Sequence, residues 1–439
     1  MMFLHRKLNP AYLVLFVFVG WCSPASAQTL EETLLYAYQH SPQLRAALAR
    51  RNATATQVGQ ARANFLPSIS AGAQYARSRV DNQGFFNQDE SQKPRAGRLT
   101  ITQPIFNGFA DVAQFKRAQY MRDAANQEHE AQKQNVLFAA ASAFFDLLRG
   151  KDLLDISRRS EGFFIEQLES ARDRFEVGEL TFTDVAQAEA RLAQAKAETT
   201  RSTGNYTIAR ARYYDVVGMD APFEPETPKF KFRLPKSLDK ALESARKNHP
   251  MLKMSIYDHN AAEQAVNAAI GRLLPSVEVE GVGQRAFDTI RKGSRSESLQ
   301  VTANVSIPIW RGGAAFNRLE EIRQNEHAQK YTIVQLRRTI DQNAKIAWQR
   351  LKTTEAEITS YKAQIQANRI ALDGVREESA VGDRTVLDVL DAENELFQSL
   401  QRLIQAQSDY RKAVFQLLRD TGTLTLDTLN IARPNQTNP

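Results

Sequence analysis

A stretch that occurs twice constrains the fold of this chain more than any other feature. The first copy begins at Leu66-Pro67 and ends at Gln103-Pro104-Ile105-Phe106-Asn107-Gly108. The second begins at Leu274-Pro275 and ends at Ile307-Pro308-Ile309-Trp310-Arg311-Gly312. In both copies apolar and polar residues alternate on either side of a polar loop, which predicts a β-hairpin. The flanking segments repeat as well, so the chain is expected to consist of two similar halves.

The duplication divides the 439 residues into five segments. Basic residues, a short apolar run and Ala25-Ser26-Ala27 predict a cleaved secretory signal, because the run is shorter than the roughly 20 residues of a membrane-spanning helix. The only cysteine, Cys22, lies inside that signal. The predicted segments are a signal peptide, a first repeat, a Pro-rich linker, a second repeat and a C-terminal tail, at residues 1–27, 28–219, 220–236, 237–421 and 422–439 respectively.

The predicted strands are unusually long. In the fourth strand Leu299, Val301 and Val305 alternate with polar residues, and the four strands span roughly 9–13 residues each. Strands of ordinary proteins average about five or six residues, whereas strands of membrane barrels need roughly 9–11. A sheet with one apolar and one polar face fits a half-buried sheet or a transmembrane barrel wall. Strand length favours the membrane.

Four strands in one chain cannot complete such a wall. Backbone groups at a sheet edge cannot stay unpaired in hydrocarbon, and closed membrane barrels have at least eight strands. Several copies must therefore associate around an axis, to give eight, twelve or sixteen strands. The strand pattern by itself does not fix the number of copies.

Each hairpin is followed by a very long helical pattern. The two patterns run from Gly108 to about Val177 and from Ala314 to about Val381, on the order of 100 Å each. Gly150 is the one expected weak point in the first. Two further helices are predicted at about 183–216 and 386–418. Helices of this length predict a bundle or tube that spans a distance.

These residues resemble the TolC family of bacterial outer-membrane efflux and secretion ducts. The resemblance includes the Leu-Pro and Gln-Pro-Ile-Phe-Asn-Gly ends of the hairpins. It also includes two turns, Val177-Gly178-x-x-Thr181-x-x-Asp184-Val185 and Val381-Gly382-Asp383-Arg384-Thr385-x-x-Asp388-Val389-Leu390-Asp391-Ala392. It covers essentially the whole mature chain, in both halves.

The resemblance implies an α+β membrane protein. Long coiled-coil-like helices would form an α-barrel in the periplasm, and the two hairpins would give four strands to a twelve-stranded transmembrane β-barrel built by a homotrimer in the outer membrane. It further implies a periplasmic adaptor, or membrane fusion protein, and an inner-membrane ABC, RND or MFS transporter as partners. The function it implies is a passive export duct of a tripartite efflux pump or a type I secretion system.

The two turns have a structural and a functional interpretation. Gly178 and Gly382 can end helices in the left-handed conformation, and Thr181 and Thr385 can cap the next helices. Asp184 and Asp388 follow three residues later, where an acid favours a helix N-terminus. The resemblance places the glycines and threonines at the periplasmic tip, in contact with the adaptor.

Arg384 and Asp391 have no charged counterpart in the first repeat, where Leu180 and Gln187 stand, so turn chemistry does not explain them. The resemblance implies that Asp388 and Asp391 form the constriction of the tunnel, where a ring of carboxylates would select cations. It also implies a latch network at the tip that includes Asp184, Arg384 and Ser379. The best-known members carry a tyrosine at the position of Ser379.

Phe106 and Trp310 lie at equivalent places where strands give way to helices. They fit an interfacial aromatic girdle, and equally well a simple packing contact with the following helix.

Other classes of function have little support. The chain lacks the H-E-x-x-H, phosphate-loop and serine-elbow motifs, and its six histidines are scattered, so we expect no enzyme, no cofactor and no metal centre. A net charge of +7 over this length is no nucleic-acid signature. The alternative to a duct is a periplasmic coiled-coil scaffold without channel activity.

Overall fold

The computed structural model describes residues 29–81, 89–222, 225–228, 232, 234–289, 293–429 and 431, with the backbone alone for 78–81 and 89–92. The predicted signal peptide and the last eight residues lie outside this range. Elements occur in the order α1 (Leu30–His40), α2 (Pro42–Ala63), β1 (Ser68–Tyr75), β2 (Ser78–Asp81), β3 (Asp89–Gln92), β4 (Arg95–Asn107), α3 (Ala110–Glu176), α4 (Phe182–Val217), α5 (Leu238–Asn248), α6 (Pro250–Gly271), β5 (Ser276–Phe287), β6 (Arg295–Ser306), α7 (Ala314–Ala380) and α8 (Val386–Asp420).

The duplication predicted from the sequence recurs in the element order. Elements α1, α2, β1, β4, α3 and α4 of the first half correspond to α5, α6, β5, β6, α7 and α8 of the second. Pro42 and Pro250 each begin the second helix of their half. Proline is tolerated at this position because the backbone N–H that it lacks would have no acceptor within the helix. Both long helices have 67 residues. Among the described residues no helix is apolar enough over a sufficient length to cross a bilayer.

The four long strands form one antiparallel sheet in the order β1-β4-β5-β6. Ser68 pairs with Thr102 in the first hairpin, and Ser276 pairs with Ser306 in the second. These pairs are related by the repeat, since Ser276 follows Ser68 by 208 residues and Ser306 follows Thr102 by 204. The two hairpins therefore have the same register, and β4 and β5 join them in the middle of the sheet.

Apolar side chains share one face of this sheet. Ile69 pairs with Ile101, which pairs with Gly281, and Gly281 pairs with Val301. Their neighbours on the opposite face are serines, threonines and other polar residues in most positions. Every residue of β1 is exposed, and Leu299 and Val301 of β6 are 86% and 74% exposed. Among the described residues, none covers the apolar face or the polar face of the edge strands.

The main core lies where the helices of both halves meet at mid-length. Phe144 and Phe145 of α3 and Phe415 of α8 are fully buried there, and the rings of Phe145 and Phe415 are 5.5 Å apart. An apolar stripe of α3 is buried, at Val136, Leu137, Ala140, Phe144, Leu147 and Leu148. The C-terminal tail joins this core through Leu424, Leu426, Leu429 and Ile431.

Gly150 is not the weak point that its residue type suggested. Helix α3 continues through it without interruption. A Cβ at this position would lie 3.4 Å from the Cα of Tyr206 in α4. The glycine therefore allows α4 to approach α3 closely, and packing overrides its weak helix propensity.

The loop of the first hairpin contains more structure than its polar composition predicted. Strand β1 has eight residues, one fewer than the lower expected bound, and a short β2–β3 ladder follows it within the first hairpin. Alternation of polar residues can therefore extend pairing beyond the apolar part of a strand.

The Pro-rich linker contacts the core, because the ring of Phe232 packs edge-on against Phe415 at 5.4 Å.

Candidate functional site

Two helix–turn–helix tips at the far end of the long helices contain most of the predicted site residues. The first tip, residues 177–181, joins α3 to α4, and the second tip, residues 381–385, joins α7 to α8. Gly178 and Gly382 have φ angles of +82° and +89°, in the left-handed region that suits glycine. Val177 and Val381 are 72% and 74% exposed, so both tips present apolar side chains to their surroundings.

Both tips end their first helix by the same pair of backbone hydrogen bonds. In the first tip Glu179 N–H donates to the carbonyl of Arg174 at 2.8 Å, and Gly178 N–H donates to Phe175 at 3.0 Å. In the second tip Asp383 N–H donates to Glu378 at 2.9 Å, and Gly382 N–H to Ser379 at 3.3 Å. This is the Schellman arrangement, which satisfies the last carbonyls of a helix.

Both tips also begin their second helix with a reciprocal cap. The Oγ1 of Thr181 accepts from Asp184 N–H at 3.3 Å, and Asp184 accepts from Thr181 N–H at 2.9 Å and from its hydroxyl at 2.7 Å. Thr385 and Asp388 make the same three bonds at 3.3, 3.0 and 2.8 Å. The structural interpretation of both aspartates is therefore confirmed.

The caps keep these aspartates charged. Hydrogen bonds from the side chain and then the backbone of Thr385 hold the pKa of Asp388 below its ordinary value, and Thr181 lowers the pKa of Asp184 in the same way. A carboxylate that accepts several hydrogen bonds is favoured in its ionised form. The donors are neutral, so the full negative charge of each aspartate remains at the tip.

The ion pairs of the two tips have opposite polarity. Arg174, at the end of α3, donates from Nε to Glu179 at 3.1 Å, whereas Glu378 at the end of α7 accepts from Nε of Arg384 at 2.9 Å. Each pair spans its own turn within one chain. The latch network implied by the resemblance would join Arg384 to neighbouring helices. Among the described residues, the ion pairs of Arg384 include Glu378 and not Asp184.

Asp391 is paired with a residue that the sequence did not single out. Its Oδ1 accepts from Nη2 of Arg191 in α4. The helices meet there because Val386 and Leu390 of α8 are buried in a cluster with Phe164 and Leu192 of the first repeat. Arg191 stands seven residues after Asp184 in an ordinary helical pattern, and no local signal links it to a residue 200 positions away.

The remaining predicted residues differ in exposure. Ser379 is buried at the end of α7, and its carbonyl is the acceptor for Gly382. The ring of Phe106 packs edge-on against Phe109, 5.1 Å away at the start of α3. Trp310, its counterpart, is 74% exposed. Phe106 thus contacts the residue just before α3, while Trp310 has the exposure that an interfacial aromatic needs, and the choice between a girdle and a packing contact stays a prediction.

One group of side chains has the composition of a metal site, far from the tips. Ligand atoms of His259, Glu263 and Glu326 all lie within 4.8 Å of one another. Nε2 of His259 is 2.8 Å from Glu326, and this hydrogen bond joins α6 to α7. The group therefore already has a structural role in holding two helices together.

An open groove runs between α4 and α8 above the first tip. It has a volume of about 360 Å³ and is lined by polar side chains, among them Arg191, Glu198, Arg201 and Arg402. Its floor is formed by Ser157, Ser160 and Phe164 of α3. The groove exists because α4 and α8 both pack on α3 and touch each other only lightly.

Comparison with known proteins places this architecture in a family. The family described as outer membrane efflux protein matches residues 35–219 and 241–423, one stretch in each half of the chain. The chain belongs to the outer membrane efflux protein family. This membership places it in the outer membrane, extending into the periplasm, and makes it a component of efflux or type I secretion.

Relatives within the outer membrane efflux protein family match along nearly their whole length. The chain is 28% identical to outer membrane efflux protein BepC of Brucella suis biovar 1 (strain 1330), over 93% of this chain and 88% of BepC. It is 24% identical to outer membrane protein TolC of Escherichia coli (strain K12), over 99% of this chain and 91% of TolC. The fold is similar to that of the Campylobacter jejuni CmeC outer membrane channel, with a TM-score of 0.80, 14% identity and coverage of 92% and 88%.

Proposed function

We propose that three copies of this chain associate around an axis to form a closed duct through the outer membrane and the periplasm. The observation that carries the proposal is the four-stranded sheet, whose edge strands β1 and β6 have no further strand beside them in the part of the chain that the structure describes and whose apolar face is exposed. Such a sheet is stable in a bilayer only when its edges are paired. Three copies would supply twelve strands, the number that the family resemblance implies.

The repeat supplies the surface through which copies would meet. Within one chain, strand β4 of the first half pairs with β5 of the second. The equivalent pairing between two copies would join β6 of one copy to β1 of the next. These two strands are the edges of the sheet. An interface used once inside the chain can therefore be used again between chains, head to tail, until the ring closes.

The helices differ in the same way, because a contact made by the first half has no counterpart in the described part of the second half of the same chain. Helix α3 packs closely against α6 and α8 of the second half, but α7 makes no comparable contact with α2 or α4 among the described residues. A Cβ at Gly108 would lie 2.0 Å from the carbonyl oxygen of Gly271, whereas nothing lies within 4 Å of the equivalent Gly312. Helix α7 also exposes Tyr331, Val334, Ile346 and Ile370. Exposed apolar side chains and unfilled space of this kind are typical of a surface that binds another copy of the chain.

The tips form the periplasmic entrance in this proposal. Exposed Val177, Phe182 and Val381 offer apolar contacts to an adaptor, and Gly178, Thr181, Gly382 and Thr385 fix the shape of the turns that present them. Asp388 and Asp391 would line the constriction, and Asp184, Arg384 and Ser379 would form the latch that keeps it closed. Contact with an adaptor and an inner-membrane transporter would open it.

Reconstitution of the purified mature protein tests the proposed duct. We expect a detergent-solubilised mass of three chains and ion conductance in planar bilayers, because the strands would close a water-filled wall. A water-soluble single chain without conductance would contradict the proposal and favour a periplasmic scaffold. Two uses of the duct compete, small-molecule efflux and protein secretion, and measurements of drug export and of protein export in a deletion strain separate them.

A further inference from the structure

The Arg191–Asp391 ion pair joins α4 to α8 near the second tip, and the chemistry of the turn does not require it. Asp391 lies three residues after the capping Asp388 and is half exposed, at 51%, whereas Arg191 is 28% exposed. The first repeat has Gln187 in place of Asp391, and the second has Glu395 in place of Arg191. The pair is therefore a property of one contact and not of the repeat.

The charge of Asp391 is compensated within its own chain. Arginine stays protonated at any pH that a cell tolerates, so the guanidinium of Arg191 supplies a full positive charge. Its other terminal nitrogen, Nη1, donates to the neutral amide oxygen of Gln194 at 3.3 Å. The ion pairs of the described residues give Asp391 as the carboxylate partner of Arg191.

Asp388 differs in this respect. Its carboxylate accepts from the hydroxyl and N–H of Thr385, which are neutral donors. The nearest tip cation, Arg384, directs its Nε to Glu378. Of the two aspartates predicted at the constriction, only Asp388 therefore keeps a charge that a guanidinium does not neutralise directly.

We propose that Arg191 determines the ion selectivity of the entrance by neutralising Asp391, so that each copy offers passing cations one uncompensated carboxylate, Asp388, instead of two. The inference rests on the proposed function, in which the second tips surround the axis of the duct. The ligands concerned are small hydrated inorganic cations, which a ring of carboxylates attracts. Arg191 is thus a specificity-determining residue supplied by the first repeat to a constriction built from the second.

Reversal potentials in planar bilayers under a potassium chloride gradient test this role. Arg191→Gln exposes the charge of Asp391 and is expected to raise the ratio of potassium to chloride permeability by at least about fivefold, since one unit charge about 4 Å away in water favours a cation by that factor and also repels chloride. Asp391→Asn exposes the arginine and is expected to lower the ratio. The double variant and the charge swap Arg191→Asp with Asp391→Arg are expected to stay near wild type.

The matched control is Arg172→Gln, which breaks another exposed interhelical pair, to Glu189 at 2.6 Å between α3 and α4. Its permeability ratio is expected to equal that of wild type. An equal shift in this control, or a shift of both single variants in the same direction, would overturn the inference, because the pair would then act generally or as a mechanical strut. If the wild type conducts and the permeability ratio of the single variants equals that of wild type, the inference is overturned but the proposed function is not. A wild type without conductance overturns the proposed function with it.

Discussion

The two tips of this protein share a backbone and differ in charge. Each ends its first helix at a left-handed glycine, with Schellman bonds, and begins its second with a threonine–aspartate capping box. The first tip pairs Arg174 with Glu179, whereas the second pairs Glu378 with Arg384 in reversed polarity and adds Asp391. What a tight turn requires is present twice, and what it does not require is present once.

Comparison of the two tips distinguishes the residues that the turn requires from those that it does not, which neither tip could do by itself. Residues that occur in both tips are explained by the turn and cannot by themselves identify a gate. Charges that occur in one tip need another explanation, and in the proposed duct they lie where ions and partners pass. Duplication thus provides an internal control for each site residue.

The largest expected effect tests the shared backbone. Gly178→Ala and Gly382→Ala are each expected to destabilise their own tip by about 1–2 kcal/mol, since an L-residue is strained at positive φ. Amide hydrogen exchange at the adjoining helix ends should become about tenfold faster in both variants. Gly374→Ala, within α7 and with open space around it, should stabilise its helix instead. Strongly unequal effects at the two tips would show that their turns are not equivalent.

A smaller effect tests the difference in charge. Arg384→Glu replaces attraction to Glu378 with repulsion, and we expect a higher single-channel conductance because the closed tip loses a polar link. Arg174→Glu makes the mirror-image change beside Glu179 and is expected to leave conductance near wild type. Single-channel recordings of both variants measure the contrast. Equal conductance changes in the two variants, or none in Arg384→Glu, would count against a latch that depends on Arg384.

The smallest effect concerns pH. The pKa values of Asp184 and Asp388 are lowered by their caps, so each cap stabilises the tip above the ordinary aspartate pKa near 4. That contribution is lost as the pH falls through the lowered value. The protection factors for hydrogen exchange at both tips, which compare the observed rate with that of an unfolded chain at the same pH, should therefore stay constant from pH 7 to about 4.5 and decrease only below. Asp184→Asn and Asp388→Asn should remove this acid step, and an acid step that persists in both variants would exclude the caps as its cause.

The sequence predicted what local chemistry specifies. Alternation gave the strands, periodicity gave two long helices that end within a residue or two of their expected bounds, and glycine–threonine spacing gave both tips. It did not predict that Gly150 would accommodate Tyr206 or that Arg191 would reach Asp391. These contacts join residues far apart in the chain, and their partners depend on how helices pack, which periodicity does not specify.

The sequence also could not show how the sheet is completed. Both hairpins are visible as patterns, but the joining of β4 to β5 is a tertiary pairing between halves. Once that pairing is known, the repeat predicts its equivalent between chains. Residue pairs of β4 and β5, such as Ile101 with Gly281, then correspond to Val305 of one copy and Ala73 of the next.

Cysteine crosslinking at this position tests the closed ring most directly. Removal of the predicted signal, which contains Cys22, would leave a chain without cysteine. Neighbouring strands place opposed Cα atoms about 4.5–5.5 Å apart, within reach of a disulfide. The variant Ala73→Cys with Val305→Cys is expected to give a covalent ladder that ends at three chains, whereas Gln74→Cys with Val305→Cys should not crosslink, because adjacent strand residues face opposite sides. A ladder that extends beyond three chains, or an Ala73→Cys with Val305→Cys protein that stays at the mass of one, would contradict the account.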